Sequence, residues 1–270
     1  MFRNINFFLP TFRQCWIIVF FIVVVGSLLA LPLALLTDNP LILYVIPFVP
    51  AFVYVAVKGK YARNESEAAE IPVENCKYGS FRHTFAVALM LGIATILLIF
   101  VLEPLSSLVE IPEYLIDGLY GAILREPFWN IVSVAVAAPV IEEFFIRGIM
   151  LRGMLRQMSP AKAIVWSAFI FAVIHLNFYQ ALGAFTMGLF LGWIYYKPGS
   201  LLYAILIHFI NNGFSAAMVL LFPDMDMETT MYEIIVQKSG VISYILLYLI
   251  SVALFGIIIY RLNKMSGDAK

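Results

Sequence analysis

Two adjacent carboxylates, Glu142 and Glu143, stand in the otherwise apolar stretch 137–150, with Arg147 four residues after the second. A charged side chain at bilayer depth costs about 3 kcal/mol on insertion scales, so such groups normally face a protein or water interior and serve a function. Two further stretches carry polar groups in apolar surroundings. Phe171 and His175 are four residues apart in one, and His208, Asn211 and Asn212 stand in the other. A carboxylate in a cavity screened from water can serve as a base near neutral pH. Two histidines with a carboxylate are also a plausible zinc set with an open position, through His175, His208 and Glu142.

Helical spacing divides the work. Residues four apart share a helix face, so Glu143 and Arg147 can pair, with the acid on the favourable N-terminal side. Glu142 points about 100° away from Glu143, which leaves it to act as a base. Phe171 shares a face with His175, and His208 with Asn212.

These groups need elements that bring them together. The chain has 270 residues, of which 63% are hydrophobic and 13% charged, with a mean hydropathy of +0.94. Ordinary soluble domains carry about 25% charge. Apolar runs of about 20 residues, enough to span a bilayer, recur at eight places. They are 15–36, 41–57, 84–102, 128–151, 163–176, 181–196, 201–221 and 241–260. The fold expected is all-α, a polytopic membrane bundle of about eight transmembrane helices. It forms one transmembrane domain over 1–270, with a catalytic core at 128–221. The run at 15–36 is too long for the apolar region of a signal peptide and reads as an uncleaved span.

Basic residues set the orientation. Of the 17 lysines and arginines, Arg147 lies within a span, and only Arg125 and Lys238 fall outside if both termini are cytoplasmic; fourteen lie inside. The segment 104–117 reads either as an amphipathic interfacial helix or as a plain loop. The polar stretch 58–82, which carries Glu65, Glu67, Glu70 and Glu74, reads as a solvated loop. Tyr195, Tyr196, Tyr244 and Tyr260 read as interfacial aromatics. Gly188 and Gly192 form a G-x-x-x-G pair suited to close helix contact. Cys15 and Cys76 make no disulfide framework, and zero formal net charge suggests no nucleic-acid partner.

Depth supports convergence. Glu142 lies 17 residues before Ser159, and His175 lies 15 after Pro160. At about 1.5 Å per residue they stand roughly 25 and 22 Å from the shared turn. His208, ten residues past Pro198, comes out shallower at roughly 15 Å by the same rise.

The series Glu142-Glu143-x-x-x-Arg147, Phe171-x-x-x-His175 and His208-x-x-x-Asn212 resembles the CPBP family of intramembrane proteases. This family includes the CAAX prenyl endopeptidases and bacterial proteins linked to bacteriocin processing and immunity. The likeness covers about 128–221; the first three spans show no motif. It implies that Glu142 and His175 activate the attacking water, that His208 and Asn212 hold the oxyanion, and that Glu143, Arg147 and Phe171 support them. The expectation is a glutamate-type peptide hydrolase without a cofactor, a zinc-dependent form being the alternative. Its partners would be membrane lipid and a peptide or membrane-protein substrate, prenylated or simply hydrophobic, in a bacterial cytoplasmic membrane. A non-catalytic immunity or scaffold protein and a proton relay are the competing readings. The absence of H-E-x-x-H, of G-x-S-x-G and of an intramembrane aspartate disfavours other intramembrane protease classes.

Overall fold

Apolar segments in lipid satisfy their backbone polar groups only within helices or closed barrels. The computed structural model describes residues 8–65, 81–197, 199–224 and 229–267, and it is helical, with no strand among the described residues. Each of the eight apolar stretches lies mostly in helix, and the chain is an all-α membrane bundle.

Helix α1 (Phe12–Leu33) starts at a capping box in which Thr11 and Gln14 exchange side-chain and backbone bonds. This places its start three residues before the expected Cys15. In α2 (Pro40–Tyr61), the Asn39 side chain accepts from Leu41 and Ile42 N–H, and a short 3-10 turn at Ile46–Phe48 accommodates Pro47. Gly26 in α1 faces the Pro47 backbone so closely that any Cβ there would collide with it. The helical backbone after Pro40 continues to Glu65, so the first part of the expected loop 58–82 is helix. Glu67, Glu70, Glu74 and Cys76 lie outside the described residues.

Helix α3 (Phe81–Ser106) runs through Pro104. Where an interfacial helix was considered for 104–117, the helical turns instead lie at Glu113–Leu115, Ile116–Tyr120 and Gly121–Arg125. The central helix α4 (127–154) alternates α and π segments, with π turns at Val132–Ala137 and Phe144–Leu151. The first lies just before Pro139, whose missing N–H favours a departure from regular α pairing. The second begins directly after Glu143.

Helices α5 (Pro160–Val173) and α6 (Phe178–Tyr196) form the most extensive helix pair of the molecule. Their approach uses the expected glycines: a Cβ at Gly188 would lie 3.0 Å from Ala168 Cα, and one at Gly192 3.0 Å from Ile164 Cγ2. Helix α7 (Leu201–Leu221) packs on α3, α4 and α6. A short helix not anticipated from the sequence, α8 (Met231–Ser239), is opened by a Thr230–Glu233 capping box. Helix α9 (Val241–Gly267) lies against α3.

One continuous buried cluster joins α1 to α7, from Ile18 and Leu91 to Ile146, Leu191 and Ile207. Tyr195, expected at the interface, is instead buried in this cluster, whereas Tyr260 is exposed. The outer surface is studded with exposed Leu, Ile, Val and Phe on α1, α2, α3 and α9. Among the described residues five helices, α1, α2, α3, α7 and α9, are long and apolar enough to cross a membrane, and α5 is a shorter apolar helix. A soluble protein rarely exposes apolar surface on this scale, and the chain is an integral membrane protein.

Candidate active site

The polar residues singled out from α4, α5 and α7 meet in the interior. Glu143 and Arg147 are fully buried, and Glu142 and His208 nearly so. The ion pair expected from i, i+4 spacing is present at 2.8 Å between Arg147 Nη1 and Glu143 Oε1. Arg147 Nη2 also donates to the Gly188 carbonyl at 3.1 Å, and the guanidinium lies 4.6 Å from the Phe171 ring centroid. A planar guanidinium suits this combination of bonding and ring contact.

His208 links both glutamates. Its Nδ1 lies 2.9 Å from Glu143 Oε1, and its Nε2 lies 3.9 Å from Glu142 Oε2. The Glu143 oxygen already accepts from Arg147, so the His208 Nδ1 carries its hydrogen and donates. The linear depth estimate had made His208 shallower than Glu142; the packed helices bring them side by side.

Glu142 is not free of partners. The Tyr44 hydroxyl of α2 donates to Glu142 Oε1 at 2.5 Å, while Oε2 is buried and makes no hydrogen bond with the protein. Nothing in the sequence pointed to Tyr44, because a lone tyrosine in an apolar span has no spacing signature.

His175 stands just beyond the end of α5 rather than within the helix. The helix ends at Val173, and Leu176 takes a left-handed conformation with φ 57°. This turn aims the ring inward while its Nδ1 lies 2.8 Å from the Phe171 carbonyl. A carbonyl only accepts, so Nδ1 donates and Nε2 keeps its lone pair when the ring is neutral. Phe171 meets His175 edge-on at 5.0 Å and His208 at 5.4 Å, so one buried ring separates and orients the two imidazoles.

Asn212 donates through its amide to the Val134 carbonyl at 2.8 Å, and its oxygen accepts from Asn211 at 3.1 Å. The amide has a second N–H beyond the one used. Asn212 and His175 line two cavities that flank the cluster. One, of about 350 Å³, also takes in Tyr44, Glu142, Ser27 and Gln180 and is otherwise walled by apolar residues of α1, α2, α4 and the end of α5. The other, of about 320 Å³, takes in His208, Phe171, Asn211 and Ser215. Its rim includes Tyr120, whose hydroxyl is pushed up by burial and, secondarily, by its bond with Tyr179. Gly183 borders this cavity with open space at its Cα, whereas Gly148 makes only an ordinary contact with Leu201.

Among the described residues no three of His, Cys, Asp and Glu gather closely enough to hold a metal ion. Glu142 and His208 approach to 3.9 Å, but with His175 they do not form a group that could hold a metal ion, and the set does not fit a zinc centre in this arrangement.

Residues 124–214 match the family described as Rce1-like type II CAAX prenyl endopeptidase. No curated protein and no solved structure matches the chain. The matched segment holds Glu142, Glu143, Arg147, Phe171, His175, His208 and Asn212. It does not hold Tyr44.

Proposed function

We propose, from the match of residues 124–214 to the Rce1-like type II CAAX prenyl endopeptidase family, that the chain hydrolyses a peptide bond of a membrane-associated hydrophobic or prenylated substrate, using Glu142 and His175. The observation that carries this reading is one cavity inside an apolar bundle lined by Glu142, His175 and Asn212. A base, a lone-pair acceptor and an amide donor border the same space.

In the proposed reaction, a water lies between Glu142 and the Nε2 of His175. Its oxygen attacks the scissile carbonyl carbon as an O–H bond breaks, and the proton passes to the Glu142 carboxylate. The π electrons of the carbonyl move to its oxygen, which takes a hydrogen bond from the second N–H of Asn212. His208 supplies a second bond through an Nε2–H. Each such donor is worth about 3–4 kcal/mol in comparable sites. The C–N bond then breaks, and the proton held by Glu142 passes to the leaving amine. Glu143 and Arg147 hold His208 in place, and Phe171 orients both imidazoles. The chemistry uses the side chains of this chain alone, in a bacterial cytoplasmic membrane.

The test is cleavage by purified protein in detergent, wild type against Glu142→Gln, on a library of farnesylated tail peptides and hydrophobic leader peptides. Cleavage by wild type and none by the variant is the expected result. No cleavage of any peptide by wild type would overturn the reading in favour of a non-catalytic immunity or scaffold role.

A further inference from the structure

The catalytic residues expected from sequence all fall within 124–214, yet the shortest side-chain hydrogen bond to Glu142 comes from outside it. Tyr44 lies on α2 and donates to Glu142 Oε1 at 2.5 Å. Its ring is held in place by neighbours: it meets Phe48 at 5.5 Å, and Phe48 stacks on Phe145 of α4 at 5.8 Å. The hydroxyl thus comes from an aromatic series that bridges α2 and α4 beside the carboxylate.

The consequence is an asymmetry between two oxygens that are otherwise equivalent. Oε1 is occupied by the Tyr44 hydroxyl. Oε2 is buried without a protein hydrogen bond and lies 3.9 Å from His208 Nε2. A general base must present a lone pair within hydrogen-bond reach of the proton it takes. Both lone pairs of Oε2 are unengaged by the protein, whereas one of those on Oε1 is taken by Tyr44.

We propose that Tyr44 is a positioning residue of the site, holding Glu142 through Oε1 so that Oε2 is the oxygen that takes the proton of the attacking water. This rests on the hydrolase reading above. In the step it governs, the water O–H bond breaks, its proton bonds to Oε2, and the water oxygen bonds to the scissile carbon. Tyr44 keeps its own proton throughout. The first helices of the chain therefore take part in orienting the chemistry, and the matched segment alone lacks the group that fixes its base.

A structural role for Tyr44 predicts a different outcome from a positioning role. Tyr44→Phe keeps the ring and its contact with Phe48 and removes only the hydroxyl. On whichever library peptide wild type cleaves, the variant is expected to lose about 10- to 100-fold in kcat, the scale of a misplaced catalytic group. KM stays within about twofold, as expected when the lost interaction acts on the chemical step. A kcat within twofold of wild type, with Glu142→Gln inactive, would overturn the inference and leave the hydrolase reading intact. Failure of wild type to cleave anything would instead strike the hydrolase reading.

An infrared measurement does not depend on turnover. The carboxylate band of Glu142, taken as wild type minus Glu142→Gln, is expected to shift in Tyr44→Phe because a donor to one oxygen has been removed. An unshifted band in folded protein would show that the bond is not formed, and would overturn the proposal.

Discussion

Nε2 of His208 lies 3.9 Å from Oε2 of Glu142, while the Nδ1 of the same ring lies 2.9 Å from Oε1 of Glu143. Adjacent residues on a helix point away from each other, so one face cannot serve both carboxylates. An imidazole has nitrogens on two sides, and His208 uses them to meet one glutamate with each. The gap to Glu142 is too long for a direct hydrogen bond. The gap to Glu143 is not.

This difference separates the two glutamates experimentally. Glu142→Gln preserves shape and removes the base, so kcat is expected to fall about 10²- to 10⁴-fold, the usual weight of general acid–base catalysis. Its unfolding midpoint should stay near that of wild type. Glu143→Gln leaves the fully buried Arg147 without its counter-ion, and breaking such a pair costs about 3–5 kcal/mol. Thermal unfolding in detergent, read beside kcat, checks both. The reverse pattern would exchange the roles of the two residues.

The helix contacts make a second, independent prediction. A methyl at Gly188 would press on Ala168 and Phe171, and one at Gly26 would run into the Pro47 backbone. Overpacking of this kind costs about 1–3 kcal/mol, and backbone collision at Gly26 leaves the less room to relax. Gly183→Ala, with nothing within 4 Å of the new methyl, is the control and should leave the unfolding midpoint unchanged. Midpoints measured for the three variants decide the point.

What could be read from the sequence, and what could not, follows the range of each interaction. The Glu143–Arg147 pair was legible because four-residue spacing is local, and it survives even across the onset of a π turn. Phe171 and His175 were legible as a pair for the same reason. However, the helix ends at Val173, and left-handed Leu176 carries no glycine to announce the turn. Tyr44 was invisible because its partner is 98 residues away. His208 looked too shallow because a linear rise per residue takes no account of tilt or π segments. The capping boxes Thr11–Gln14 and Thr230–Glu233 were within reach of sequence reading, and they explain the early start of α1 and the unanticipated α8.

The donor arrangement makes a prediction about metals. The Nδ1 atoms of His175 and His208 are engaged by Phe171 and Glu143, and Glu142, His175 and His208 do not gather into a ligand set. Cleavage is therefore expected to survive dialysis against a strong chelator, with less than stoichiometric zinc by elemental analysis. Loss of activity restored by zinc alone would require these side chains to converge, and would move the mechanism to a zinc hydrolase.

Asn212 offers the sharpest separation of structure from chemistry in the proposed oxyanion site. One of its N–H groups is committed to the Val134 carbonyl, a bond between α7 and α4 that supports packing. The residue also lines both cavities, and its amide has a second N–H. Asn212→Ala removes both and leaves the Val134 carbonyl without that donor, so some stability is lost, about 1–3 kcal/mol for an unsatisfied buried group. Loss of an oxyanion donor costs about 10²- to 10³-fold in kcat with little change in substrate binding. The two effects are told apart by measuring kcat per folded molecule at a temperature well below the unfolding midpoint. If Asn212 is purely structural, folded Asn212→Ala turns over at the wild-type rate. If it holds the oxyanion, the folded variant binds peptide normally and cleaves it hundreds of times more slowly.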